Sequence, residues 1–429
     1  MAERAGWRKY LAALGPGLVT GVSDDDPSGI AVYAVSGASA GYGLVWTALY
    51  TAPLLAAVQE VTDRTALTTG KGLGELMAAR LPVRMRWLGT ALLSALIVAN
   101  ALNISADLAA IGNGMNLLGA GSATLWALLA GIGIWAMLMW GSFNLVARIF
   151  KTLALSLAAY LLVVIAVRPP ANTLAVSSFI PTMSFTASNA RLLVAIMGTT
   201  ISPYLIFWQS AHRVEELREG PNVRWNPEVL GRLSTRKAIL EERLSRTDVF
   251  AGAALSSVVM WSIMVATAST VGAHANTITS ASQAAAALAP VAGRFASAIF
   301  ALGFIASGVL AVPVLAGSGA SGLAGLFKEE WGYSRSPKSA PVFYGLVALG
   351  TLGGTAFTLL GSNVIQLLVV VGLVNGLAAT PFLVVLMRVS SDPEIMGEHR
   401  NHLTASILGW TTAALMSVTG LYVVVQAFV

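Results

Sequence analysis

Cysteine is absent from this chain, so no disulfide framework and no thiolate metal site is possible. Charge is nearly as scarce. Asp, Glu, Lys and Arg make up 11% of the 429 residues, against about 25% in a soluble globular protein. Four histidines, His212, His274, His399 and His402, are scattered near loop ends without ligand spacing, which excludes an imidazole metal cluster. No low-complexity tract and no soluble second domain interrupts the sequence. The N-terminal residues lack the basic, apolar and small-residue zoning of a cleavable signal, so no cleaved signal is expected.

What is present is apolar sequence: 56% of residues are hydrophobic and the mean hydropathy is +0.73. About eleven stretches are long enough to span a bilayer, each needing about 20 residues. They lie near 11–38, 41–66, 87–118, 122–142, 145–167, 188–211, 248–272, 287–325, 341–360, 363–387 and 403–428. The eighth exceeds one crossing and is expected to include a non-spanning segment. An N-terminus in the cytoplasm places all 26 Lys and Arg residues in cytoplasmic segments except Arg168, Arg191 and Arg294. Positive charge inside is the rule that sets membrane topology. The net charge of +6 is therefore topological, and it calls for no nucleic acid. The long polar segment 212–247 reads as a solvated cytoplasmic connector, and the C-terminus is expected outside the cytoplasmic membrane.

Within the first span, residues 21–30 read GVSDDDPSGI. A surface turn here would leave only 11–23 as a span, which is too short, and would invert the charge bias of every later loop. The break therefore belongs near mid-membrane. Pro27 supplies no N–H, and Gly29 is expected to take irregular dihedrals after it. Carbonyls freed at a break must face protein or a polar cavity, and Asp24, Asp25 and Asp26 beside them make an oxygen-rich nest for a cation. Asp26 is the first candidate ligand and Asp24 the second. The sixth span carries a matching interruption in GTTISPYLIFWQS, with Gly198, Thr199, Ser202 and Pro203 in its middle. Breaks in spans one and six are the pattern of two five-helix inverted repeats, here about 11–168 and 188–388, with 403–428 as an extra helix. The expected fold is thus an all-α membrane protein forming a single transmembrane transporter domain over 1–429.

These segments resemble the Nramp family of divalent-metal transporters. The likeness covers the Gly-Pro start, the Asp-Pro break, the Gly-Tyr entry to the second helix, the Gln and Arg near that helix's end, and the sixth-helix motif. It implies the inverted-repeat fold and divalent-cation transport. The departures are specific. The family's Asp-Pro-Gly-Asn is Asp26, Pro27, Ser28, Gly29 here, and its Met-Pro-His is Ser202, Pro203, Tyr204. The His one turn later is Gln209. Asp107 keeps the family's third-helix Asp, but Ala110 replaces a Glu, and the ninth span holds no Arg. The lost groups are those the family is thought to use for proton movement, and a variant branch of magnesium transporters shares the same losses.

Ligand chemistry agrees. A thioether selects softer transition metals, whereas carboxylates, carbonyls and water suit Mg²⁺, Ca²⁺ and Mn²⁺. Small neighbours such as Ser28, Gly29 and Ser202 leave room for a partly hydrated ion. Asn100, Asn103 and Asp107 share a face of the third helix and either line an ion path or bond between helices. Gln366 and Asn375 of the tenth span are further candidate ligands. Glu60 and Asp63 are expected to pair with Arg64 or line the inner vestibule.

The leading expectation is a secondary transporter of Mg²⁺ and Mn²⁺ without obligatory proton coupling, the metal being substrate and not cofactor. A proton-coupled Mn²⁺/Fe²⁺ importer is the alternative. An intramembrane aspartyl enzyme is remote, because an acid dyad needs two acids facing across a site and all three here come from one segment. Beyond the metal ion and membrane lipid, no obligate protein partner is expected.

Overall fold

The computed structural model describes residues 16–140, 158–184, 186–219, 229–272, 278–286, 293, 296–361 and 363–428. Among these residues the regular structure is entirely helical. The first span is two half-helices, α1 (Pro16–Asp24) and α2 (Pro27–Ala40), and α3 (Trp46–Thr69) follows. A short helix α4 (Leu73–Arg80) leads to α5 (Arg86–Leu117) and α6 (Ala123–Trp140). Then come α7 (Ala158–Val167) and α8 (Ala171–Phe179). The sixth span is again two halves, α9 (Ala187–Thr200) and α10 (Pro203–Glu219). Helices α11 (Thr235–Ser269), α12 (Ala281–Ala286), α13 (Ala296–Leu326), α14 (Pro341–Phe357), α15 (Val364–Ser390) and α16 (Leu403–Phe428) complete the chain.

Eight of the described helical segments are individually long and apolar enough to cross a membrane. Residues 27–44 and 46–69 meet the same test only together, bent by 107°. That bend is the turn between the first and second expected spans, and Gly41 sits in it with φ +55°, a conformation side chains disfavour. Most of the fifth expected span, 145–157, lies outside the described residues, as do 287–292 at the start of the eighth. The described part of the eighth crossing is the 31-residue α13.

Side-chain bonds sort the connections into two ends. At one end Arg80 pairs with Asp392 at 2.8 Å, Arg64 reaches Asn401 at 2.8 Å, Ser210 accepts from the Leu73 N–H, and Arg218 donates to the Trp331 carbonyl. At the other, Tyr42 bonds Ser269 at 2.7 Å, Tyr50 donates to the Phe179 carbonyl, and Asn363 donates to the Thr279 carbonyl. Connections two-three, six-seven, eight-nine and ten-eleven thus meet on one side, as the Lys/Arg parity requires.

Helices α5 and α13 share the most extensive helix–helix interface. The broken helices are held by backbone contact. A Cβ on Gly21 would fall 2.3 Å from the Gly252 carbonyl carbon of α11, and one on Gly198 would fall 2.0 Å from the Gly372 carbonyl oxygen of α15. Small residues at such crossings let membrane helices pack backbone to backbone.

Candidate metal centre

Both expected breaks are present, at Asp25–Asp26 and at Ile201–Ser202. Asp26 is the N-cap of α2. Its Oδ1 accepts the Gly29 N–H at 2.8 Å and the Ser28 hydroxyl at 2.5 Å, satisfying donors that the new helix start leaves orphaned. Pro27, at the first helical position, gives up no hydrogen bond there. Asp26 Oδ2 accepts the Tyr204 hydroxyl at 2.9 Å, so the carboxylate bridges the two broken helices. The same hydroxyl lies 3.4 Å from the Ser23 carbonyl, one of the oxygens at the end of α1.

Gly29 departs from expectation. It lies inside regular α2, with no left-handed dihedral. The irregular backbone is confined to Asp25 and Asp26, because the Asp26 cap starts the new helix immediately. Gly29 instead allows close approach: a Cβ there would lie 3.1 Å from the Asp24 carbonyl oxygen and 3.3 Å from the Tyr33 ring.

Asp24 and Asp25 turn toward α11. The Ser256 hydroxyl donates to Asp24 Oδ2 at 2.7 Å and lies 3.4 Å from Asp25 Oδ1. Asp24 Oδ1 and Asp25 Oδ2 are buried without a hydrogen-bond partner. All three acids are at most 1% exposed. Among the described residues no three His, Cys, Asp or Glu side chains converge on a point that an ion could share.

In the sixth span the Ser202 hydroxyl donates to the Gly198 and Thr199 carbonyls at 2.7 and 2.8 Å, and the Thr199 hydroxyl to the Ala195 and Ile196 carbonyls. Ser202 closes off carbonyls at the end of α9, Thr199 bonds back one turn within it, and each hydroxyl oxygen keeps lone pairs to offer. A cavity of about 10 Å³, room for one water, is lined by Ser202, Thr200, Gln209, Thr62 and Gln59 among others. Both amide atoms of Gln59 are buried and unpartnered.

The peripheral candidates divide. Asp107 is fully buried, and neither carboxylate oxygen has a hydrogen-bond partner. Asn103 and Asn375 bond each other reciprocally at 3.1 Å, while Asn100 donates to the Leu315 carbonyl and Ser318 of α13. Gln209 is tied to Thr20 and, at 2.5 Å, to Asp63, which pairs with Arg213 at 2.8 Å. Gln366 does not reach the centre: it occupies the first turn of α15 with its side chain exposed, since that helix starts only at Val364. Glu60 pairs with Arg64 at 2.9 Å as expected. Sequence reasoning missed Ser256, whose only signal is a serine pair in an otherwise apolar span, and passed over Gln59 as a ligand.

The Natural resistance-associated macrophage protein-like family pattern matches residues 17–426. The chain belongs to the Nramp family. A relative from Aeromonas hydrophila, named divalent metal cation transporter MntH, is 25% identical over 97% of both chains. Among solved structures, the Eremococcus coleocola manganese transporter superposes with a TM-score of 0.75 at 18% identity, covering 98% of this chain and 88% of that one. Mhp1, a nucleobase-cation-symport-1 family transporter, gives 0.56 at 13% identity over 96% of this chain and 93% of that one. The Nramp fold therefore extends across the chain, and its broken helices coincide with the acidic centre. The Aeromonas hydrophila relative and the Eremococcus coleocola protein are metal transporters, not enzymes.

Proposed function

We propose that this Nramp-family protein is a secondary transporter of divalent metal cations, with Mg²⁺ and Mn²⁺ as its substrates and without obligatory proton coupling. It is a multi-pass membrane protein, placed in the cytoplasmic membrane with its N-terminus inside and C-terminus outside, as the Lys/Arg parity supports. The inverted repeats are 11–168 and 188–388. The observation that carries this reading is the Asp26 carboxylate held between two broken membrane helices by the Tyr204 hydroxyl. Ionisable groups at such depth are costly and mark function.

The ion is received chiefly by Asp26, with Ser202, Thr199 and freed carbonyls completing a set of hard oxygen donors. At the second break stand Ser202 and, one residue into α10, Tyr204, neither of them a thioether or an imidazole. That set suits Mg²⁺ and Mn²⁺, and it suits an ion that keeps some of its water. Tyr204 donates to Asp26 in the metal-free state and yields or shares that oxygen when the ion arrives.

The test is uptake into proteoliposomes across a panel of divalent ions. Asp26→Ala and Asp26→Asn should abolish Mg²⁺ and Mn²⁺ uptake in protein that remains monodisperse. Uptake at the parent rate in either variant would overturn the reading.

A further inference from the structure

We propose that Asp24, Asp25 and Ser256 form a second hard-cation position on the α11 side of the broken helix, separate from the one at Asp26. This rests on the transport reading above and deepens it.

Two adjacent carboxylates are buried against a single hydroxyl. Ser256 has one proton to donate, and at 2.7 Å it serves Asp24, leaving Asp25 at 3.4 Å poorly bonded. One oxygen of each acid has no partner at all. Among the described residues no Lys, Arg or His forms an ion pair with either. Two neighbouring buried anions repel each other and lose their hydration, so the arrangement calls for positive charge. Asp24 is also the last residue of α1, and the carbonyls at a helix C-terminus add negative potential there.

Asp26 does not supply the missing ligand. Its Oδ1 is taken by Ser28 and Gly29 of the helix it caps, and its Oδ2 by Tyr204 of α10. Among the described residues no three acids converge; Tyr204 of α10 serves Asp26, while Ser256 of α11 serves Asp24 and Asp25. Every donor in the second position, the Asp24 and Asp25 carboxylates and the Ser256 hydroxyl, is an oxygen. Oxygen donors alone select hard cations, Na⁺ or a second divalent ion, over soft ones.

The test counts bound ions on the purified full-length protein, using Mn²⁺ by electron paramagnetic resonance and radioactive Na⁺ by scintillation proximity. Wild type should bind two ions in total at saturation. Asp24→Asn/Asp25→Asn should lose one and keep the other, and Asp26→Asn should show the reverse. Ser256→Ala, the milder variant should the double one fail to fold, should weaken the same ion about tenfold by removing a neutral ligand. Loss of Mn²⁺ names the second ion as divalent, and loss of Na⁺ names it as monovalent. A wild-type total of one, a double variant that still binds both ions, or unchanged affinities in Ser256→Ala would overturn the second position. Retained Mn²⁺ uptake in Asp26→Asn would instead overturn the transport reading and leave the ion count standing.

Discussion

The Tyr204 hydroxyl donates to Asp26 Oδ2 across 2.9 Å, a side-chain bond that joins the two interrupted helices at the acidic centre. Tyr204→Phe removes the donor and leaves a buried carboxylate oxygen unpartnered in the metal-free state, a cost of about 1–3 kcal/mol. The metal-bound state loses less, because the ion itself compensates that oxygen. Binding should tighten, with KM for Mn²⁺ uptake falling about tenfold if 1.4 kcal/mol of this cost is relieved on binding. Release should slow, lowering kcat. The concentration dependence of uptake reads both, and a raised KM would show that Tyr204 supports the ion and does not compete with it.

Asp248 fastens the start of α1 to α11. Its two carboxylate oxygens accept the Gly17 and Leu18 N–H groups at 2.7 and 3.0 Å, and Arg213 stands 3.5 Å away. Below this cap, Gly17 and Gly21 lie against the backbone of Val249 and Gly252. Asp248→Asn keeps the shape but offers one acceptor where two are needed, so α1 should detach more readily at the arginine-rich end. The native absence of cysteine makes this directly measurable with a single Ser23→Cys reporter, since Ser23 is fully buried. Modification by a membrane-impermeant thiol reagent should speed up several-fold in the Asp248→Asn background. An unchanged rate would mean that the cap does not restrain the half-helix.

The breaks were legible because two independent constraints agreed on them: a three-Asp run before Pro27 cannot be a loop without shortening the first span, and the Lys/Arg parity fails if it is. Pro203 was legible by its position in the sixth span. The direction in which each side chain leaves a break was not. At Asp25 and Asp26 the backbone has left helical periodicity, so spacing no longer states which neighbour a carboxylate faces, and the turn of Asp24 and Asp25 toward Ser256 followed from two residues' dihedrals. Gln366 failed for another reason. Hydropathy placed it within a span, but the helix starts only two residues earlier and leaves it at the edge. Gln209 occupies a position that carries a His in the family, yet it serves a polar network with Asp63 and Arg213 that no periodicity could reveal.

Selectivity should follow position 202. Ser202→Met, combined with Gly29→Asn, supplies a thioether and an amide oxygen, softening the donor set and crowding out water. The asparagine Cβ would stand 3.1 Å from the Asp24 carbonyl oxygen and 3.3 Å from the Tyr33 ring, so both must give by a few tenths of an ångström to admit it. Cd²⁺ or Fe²⁺ uptake should rise relative to Mg²⁺ in the double variant. An unchanged Mg²⁺/Cd²⁺ ratio would show that these positions do not set preference.

Coupling is decided by whether a proton has a route. Asp107 is the carboxylate on α5 nearest in role to a relay, and it is buried without a hydrogen-bond partner on either oxygen. Proton transfer needs donors and acceptors within about 3 Å or joined by one water. Along the same face, Asn103 is locked to Asn375 and Asn100 to α13, and neither amide titrates. Position 110 is Ala, and Gln209 cannot pass a proton on as an imidazole would, so Asp63 is cut off from the centre by a non-titrating amide. Metal uptake should therefore bring no acidification of the liposome lumen, and an imposed pH gradient should change the rate little. Asp107→Asn should lower uptake less than Asp26→Asn, because it removes a nearby charge and no obligatory carrier. A metal-dependent proton influx reported by a lumenal dye, and abolished by Asp107→Asn, would place the protein among proton-coupled transporters instead.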